Sequence, residues 1–169
     1  RADREPRGQG GPVDPDVGVL GDGERGLAEG RLDRSRPGGL GVDVLLGGSG
    51  VDDLNGGNEG DLLLGGSTSY DDNLATLDLI LREWASGGEY DVRLENLRAG
   101  TGGVLAGSGV RLQAAGDDRT VFDDGVLDTL QGNSGRDWFF ADRDGEDSED
   151  DKVQDQKIDE ALDPLLDQP

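Results

Sequence analysis

Large apolar residues recur every nine positions in the first half of the chain, at Leu45, Leu54 and Leu63. Each stands eighth in a block that opens with two glycines. The blocks read GGLGVDVLL (38–46), GGSGVDDLN (47–55), GGNEGDLLL (56–64) and GGSTSYDDN (65–73). The first two follow G-G-x-G-x-D-x-U-x, where U is a large apolar residue, whereas the third has Glu59 in fourth place and the last keeps only its glycines. This pattern predicts a glycine-rich turn followed by a short strand, with the eighth side chain facing inward.

The sixth position of each of the first three blocks is an aspartate, at Asp43, Asp52 and Asp61. Glycine tolerates positive φ, so the turn can bend sharply and direct backbone carbonyls toward one centre, to which the aspartate adds a carboxylate. If successive turns alternate between two edges, turns 18 residues apart stack on each other, and Asp43 and Asp61 are expected to bracket one cation. Asp52 would need an aspartate at position 34 or 70. It finds Arg34 and Tyr70, which predicts an impaired site.

The apolar spacing becomes helical after these blocks. Apolar residues fall on one helix face at Leu74, Leu77, Leu81 and Trp84. Asp72 or Asn73 is a suitable N-cap, and the glycines at 87 and 88 end the helix. Tyr90, Leu94 and Leu97 indicate a second short helical stretch. We expect residues 74–98 to cap the open end of the strands, where apolar side chains and unpaired strand edges need cover. A partner-binding surface is the alternative role of this helical face.

The nine-residue register returns within residues 120–141. The later blocks read DDGVLDTLQ (123–131) and GNSGRDWFF (132–140). Asp128 and Asp137 stand sixth in them and, being nine residues apart, are expected on opposite edges. An 18-residue step would set Arg119 below Asp137 and Glu146 above Asp128.

The two ends of the chain lack this register. Residues 1–37 are rich in Arg, Gly, Asp and Pro. They are interpreted either as eroded repeats or as a stretch translated out of frame, because the register starts abruptly at Gly38. Residues 142–169 begin as an acidic run, which is usually solvated, and then show a weak amphipathic helix pattern interrupted at Pro164. A frayed tail is one interpretation of that segment.

Composition and charge exclude several kinds of ligand, partner and catalysis. The chain holds 38 acidic and 16 basic residues, a net charge of −22, and contains neither His nor Cys. This charge opposes binding to nucleic acid or an anionic membrane, and no apolar run is long enough to cross a bilayer. Without a thiol nucleophile or a histidine base, we expect no enzyme activity. Carboxylates and backbone carbonyls remain, and these are the ligands that Ca²⁺ prefers.

The consecutive blocks resemble the repeats-in-toxin family, also called haemolysin-type calcium-binding repeats. The resemblance implies that Ca²⁺ is held by the aspartates together with backbone carbonyls of the turn glycines. The residues expected as ligands are Gly38, Gly39, Gly41, Asp43, Gly47, Gly48, Gly50, Asp52, Gly56, Gly57, Asp61, Asp128 and Asp137. In the later blocks a second calcium site is one expectation, at Asp123, Asp124 or Asp128. A metal-free core built on Trp138, Phe139 and Phe140 is the alternative.

We therefore expect a mainly β fold, a parallel β-roll (β-solenoid) with a capping α-helix and further short strands. The expected segments are 1–37 (poorly organised or eroded repeats), 38–73 (calcium-binding nonapeptides), 74–98 (helical cap), 99–141 (β-rich segment with degenerate repeats) and 142–169 (acidic tail, with a secretion signal as one interpretation).

Proteins of this family are mostly secreted by a one-step type I machinery that reads a C-terminal signal. The expected function is that of a secreted, extracellular or cell-surface module that binds calcium and couples extracellular calcium to folding and type I secretion. A structural or adhesive tail of a larger cell-surface protein, in contact with cell-envelope components, is the alternative.

Overall fold

The computed structural model describes residues 20–21, 35–143, 145 and 149–165. The strands are β1 (Leu20–Gly21), β2 (Ser35–Gly39), β3 (Asp43–Leu46), β4 (Asp53–Gly57), β5 (Leu62–Leu64), β6 (Ser67–Thr68), β7 (Val121–Phe122), β8 (Thr129–Asn133), β9 (Trp138–Asp142), β10 (Lys152–Val153) and β11 (Ala161–Leu165). The helices are α1 (Leu74–Trp84) and α2 (Tyr90–Ala99), followed by a 3₁₀ turn at Gly103–Leu105. The N-terminal segment 1–37 lies outside the described residues apart from 20–21 and 35–37.

Most strands belong to two sheets. The larger has the order β1-β3-β5-β9-β11 and is parallel except for β1, which runs antiparallel to β3. The smaller has the order β10-β8-β4-β2 and is parallel throughout. Strands of successive nonapeptides enter the two sheets alternately, so that Val44 pairs with Leu62 and Ser35 with Asp53. Both pairs are separated by the 18-residue step that the sequence predicts.

The eighth side chains of the nonapeptides fill the space between the two sheets. These side chains have no exposed surface and are Leu45, Leu54, Leu63, Leu130 and Phe139. Complete burial of one such side chain contributes roughly 1.5–3 kcal/mol, so this layer is a principal source of stability. The predicted inward orientation of the eighth position is therefore confirmed.

The larger sheet is buried on both faces, because its strands carry apolar residues at consecutive positions. The triplets VLL, LLL and WFF occur in β3, β5 and β9, whereas DLN and TLQ in β4 and β8 alternate between polar and apolar. Continuous apolar runs are typical of strands covered on both sides. Outward side chains of the larger sheet, such as Leu62, Trp138 and Phe140, pack in one cluster with the apolar face of the helices.

The two helices form where the sequence predicts them. Helix α1 is capped by the Asn73 side chain, which accepts a hydrogen bond from the Thr76 N–H at 3.1 Å. At the other end of α1, the Trp84 ring lies 5.7 Å from the ring of Trp138 in β9. The helices of segment 74–98 thus cover a face of the larger sheet, and the expectation that they cap the open end of the strands is wrong.

The expected mainly β fold, a β-roll, is also wrong, because the architecture is α/β. A helical layer, the larger sheet and the smaller sheet follow one another. Helix and strand make up 19% and 28% of the structure that is described, and the described residues form no solenoid. Residues 40–64 supply β3, β4 and β5 to the two sheets, a stack too short to bury its own core. Residues 65–122 then leave the sheets to build the helices and the β6–β7 pair, and the later strands complete both sheets.

The C-terminal segment forms strands where the sequence favours a weak helix. Strand β10 pairs in parallel with β8, and β11 pairs in parallel with β9. Pro164 is tolerated in β11 because this strand lies at the edge of the larger sheet. The acidic segment is therefore part of both sheets up to Leu165.

Candidate metal centre

Three aspartates form a hydrogen-bonded ladder along one edge of the fold. The Asp43 N–H donates to Asp61 Oδ1 at 2.8 Å, and the Asp61 N–H donates to Asp137 Oδ1 at 2.8 Å. All three side chains are buried. We call Asp43, Asp61 and Asp137 the first ladder. The expected proximity of Asp43 and Asp61 is found, and Asp137 extends it.

Three further aspartates form a second ladder on the opposite edge. The Asp52 N–H donates to Asp128 Oδ1 and the Asp128 N–H donates to Asp151 Oδ1, both at 2.7 Å. Asp151 uses its other oxygen, Oδ2, to accept the Asp142 N–H at 2.8 Å. We call Asp52, Asp128 and Asp151 the second ladder.

This arrangement corrects the expected partners of three aspartates. Asp52 lies beside Asp128 rather than beside positions 34 or 70, so its site is not impaired for want of a second carboxylate. Asp137 lies beside Asp61 rather than Arg119, while Glu146, the expected partner of Asp128, lies outside the described residues. The reason is the insertion of 65–122, whose 58 residues convert the 18-residue step into one of 76.

The eight glycines expected as ligands lie in the turns that carry the ladders or at the strand ends that lead into them. Gly38, Gly39 and Gly41 belong to the first turn, Gly47, Gly48 and Gly50 to the second, and Gly56 and Gly57 to the third. Gly57 has a φ of 103°, and a Cβ there would approach the Gly39 carbonyl to 2.5 Å. Only glycine fits at this contact between stacked turns.

Oxygen atoms converge beside the turn glycines, too close for a side chain to fit there. A Cβ on Gly38 would overlap both the Gly56 carbonyl oxygen and Asp43 Oδ2. On the opposite edge, a Cβ on Gly65 would meet Asp151 Oδ2 at 2.7 Å and Asp128 Oδ2 at 3.1 Å. Carboxylate and carbonyl oxygens thus lie close together in these turns, and oxygen is the donor type that a hard cation prefers.

Helix α1 and the loop before β8 hold these turns in place. The Trp84 indole N–H donates to the Gly60 carbonyl at 2.9 Å, which fixes the turn that precedes Asp61. Asp124 Oδ2 accepts the Gly50 N–H at 2.6 Å, which ties the turn before Asp128 to the turn before Asp52.

The second carboxylate oxygen of Asp61 is buried among negative charges. Its Oδ2 has no hydrogen-bond partner within the described part of the chain. Burial raises the pKa of Asp61 to about 8, against the lowering effect of the Asp43 N–H, and the carboxylates of Asp137 and Asp43 raise this pKa further. A carboxyl group in this position is costly to ionise unless a cation accompanies it.

Asp128 occupies the same position in the second ladder. Its Oδ2 likewise lacks a hydrogen-bond partner among the residues that the structure describes. Burial raises the pKa of Asp128 to about 9, and the nearby carboxylates of Asp151, Asp124 and Asp52 add to the effect of burial. Burial also raises the pKa of Asp151 to about 6.

The carboxylates alone do not make a complete metal site. Among residues 20–21, 35–143, 145 and 149–165, no three acidic side chains are grouped as a metal-holding cluster. A cation between stacked turns would therefore take two carboxylates and several backbone carbonyls. Calcium accepts such mixed sets of six to eight oxygen ligands, as a general property of the ion.

No family model matches the chain, and no curated protein or solved structure is found to match it. In the described part of the chain, neither helix is long and apolar enough to cross a bilayer. The nonapeptides and the two ladders are therefore the observations from which a function can be inferred.

Proposed function

We propose that the chain is a calcium-binding module of a secreted protein, in which extracellular calcium drives folding. The observation that supports this most strongly is Asp61 Oδ2, a fully buried carboxylate oxygen whose charged neighbours are carboxylates. Removing a partner from a buried charge typically costs about 3–5 kcal/mol. A divalent cation between the stacked turns removes this cost and satisfies the carbonyl oxygens beside it.

Calcium fits this site better than other common metal ions. The chain has no His or Cys, so the nitrogen and sulfur ligands that Zn²⁺ and Cu²⁺ favour are absent from the sequence. Mg²⁺ requires a near-ideal octahedron and keeps most of its water. Turn carbonyls and buried carboxylates offer a larger, irregular set of oxygens, which suits Ca²⁺.

The net charge of −22 links calcium binding to folding. Where calcium is scarce, repulsion among the carboxylates opposes the compact state. Calcium neutralises the ladders, and its binding free energy then adds to the free energy of folding. Together with the family resemblance of the nonapeptides, this supports export as an unfolded chain by type I machinery and folding outside the cell.

The proposal is tested by titrating calcium into the chelated protein. We expect calcium, but not magnesium, to increase β-sheet circular dichroism and shift the fluorescence of the buried Trp84 and Trp138, with reversal by EDTA. The double variant Asp43→Ala, Asp61→Ala should fold only at a higher calcium concentration than the unsubstituted protein. The exposed Asp117→Ala is the matched control and should behave as the unsubstituted protein. Identical spectra with calcium and with EDTA would contradict the proposal.

A further inference from the structure

The first ladder continues beyond Asp137 to a turn that is not a nonapeptide. Asp155 Oδ1 accepts the Gly132 N–H at 2.9 Å, and Asp155 Oδ2 accepts the Asn133 N–H at 2.7 Å. Residues 155–160 therefore stack on the turn of 132–137. The first ladder thus has three levels, each between two stacked turns.

We number these levels along the ladder. Level one lies between turns 38–43 and 56–61, and level two between 56–61 and 132–137. Level three lies between 132–137 and 155–160. The first two levels carry the buried carboxylates assigned above to calcium.

Level three contains a cation supplied by the chain. Lys157 Nζ lies 3.5 Å from Asp137 Oδ2 and 2.5 Å from Glu160 Oε1. Glu160 also accepts the Lys157 N–H through Oε2 at 2.6 Å, which fixes the turn around the ammonium group. Asp137 Oδ2 therefore faces a lysine at this level, whereas Asp61 Oδ2 faces carboxylates.

The hydrogen bonds between the two stacked turns also differ between level three and level two. At level two the Trp138 N–H donates directly to the Asp61 carbonyl at 2.8 Å. At level three the Tyr90 hydroxyl is inserted: it accepts the Ala161 N–H at 2.8 Å and donates to the Asp137 carbonyl at 2.7 Å. A side chain from α2 thus replaces a direct contact between turns, and one of the two turns of level three, 155–160, lies outside the nonapeptides.

We propose that Lys157 is a built-in counter-ion that takes the place of calcium at level three and ends the metal array of the first ladder. Its ammonium group neutralises Asp137 and Glu160 permanently, so this level forms without calcium and gives the C-terminal strand β11 a metal-independent attachment. The inference deepens the proposed function and rests on it for the first two levels.

Removing the Lys157 ammonium group should allow one more calcium ion to bind, at level three. Lys157→Ala and Lys157→Gln leave Asp137 and Glu160 without a cation, and we expect each variant to bind one calcium ion per chain more than the unsubstituted protein. Lys157→Arg keeps the charge and should bind the original number. Lys152→Ala removes an exposed lysine from β10 and is the matched control, also with the original number. Bound calcium is counted by native mass spectrometry and equilibrium dialysis.

An unchanged calcium count in both Lys157→Ala and Lys157→Gln would overturn the inference. Failure of both variants to fold at any calcium concentration would also overturn it, because calcium should substitute for the missing charge. These outcomes are separate from failure of the proposed function, which would appear as an unsubstituted protein that binds no calcium.

Discussion

Replacement of Asp61 by asparagine is expected to stabilise the calcium-free protein and to lose much of that gain in calcium. Burial raises the pKa of Asp61 from 3.8 to about 8, so at pH 7 the folded, calcium-free protein keeps a proton that the unfolded chain releases. Over roughly three pH units, at about 1.4 kcal/mol per unit, this costs the folded state on the order of 4 kcal/mol.

Asparagine has the same shape and no charge to bury. Its side-chain oxygen can still accept the Asp43 N–H, while its buried NH₂ group offsets about 1–3 kcal/mol of the gain. We therefore expect Asp61→Asn to stabilise the calcium-free protein at pH 7 by about 1–3 kcal/mol. In saturating calcium much of this gain is lost, because a tenfold loss of calcium affinity costs about 1.4 kcal/mol.

Urea unfolding followed by the fluorescence of Trp84 and Trp138 measures both effects, in EDTA and in millimolar calcium. The matched control is Asp53→Asn, the same chemical change on the exposed face of β4. Asp53→Asn should leave the urea midpoint unchanged both in EDTA and in calcium. If Asp61→Asn destabilised the protein equally in EDTA and in calcium, the assignment of Asp61 as a buried metal ligand would be refuted.

Three further predictions concern the acidic ladders and the turns. In EDTA, stability should be highest below about pH 4 and should fall as pH rises, because folded-state pKa values of about 8 for Asp61 and about 9 for Asp128 exceed those of the unfolded chain. A urea midpoint that rises with pH would contradict this, and calcium should flatten the dependence. Glu59→Gly should stabilise the protein by about 1 kcal/mol in thermal unfolding, because Glu59 has a left-handed φ of 69°. A lowered melting temperature of Glu59→Gly would contradict this prediction. Tyr90→Phe should cost about 1–3 kcal/mol at every calcium concentration, because the hydroxyl bridges two backbone groups at level three. An unchanged urea midpoint would show that the bridge is dispensable.

The local rules of the nonapeptide were enough to predict the strands, the inward leucines and the contact between Asp43 and Asp61. Helical spacing and the Asn73 cap, which are also local signals, predicted both helices. The placement of the helices required a different observation, namely that the residues on either side of the inward side chain are apolar in VLL, LLL and WFF. Those triplets indicate a sheet that needs cover on its second face.

The partners of Asp52 and Asp137 could not be found from an 18-residue step alone. A 58-residue insertion separates the stacked turns, and only the return of the register at residue 123 indicates that the stack resumes. The positions of Asp151 and Lys157 were even harder to predict from the sequence than those of Asp52 and Asp137. Asp151 and Lys157 lie outside any nonapeptide, in an acidic segment whose composition is typical of a solvated tail. Their positions follow from the parallel pairing of β10 and β11 with the earlier strands.

Isothermal titration calorimetry of the purified chain with calcium is the most direct test of the central claim. We expect saturable calcium binding with a dissociation constant on the order of 10⁻⁴ to 10⁻³ M, as is usual for extracellular modules, and no comparable binding of magnesium. Substitution of Asp61 and Asp128 by asparagine should abolish most of the heat. A folded protein that takes up no calcium under these conditions would show that the ladders are not calcium sites.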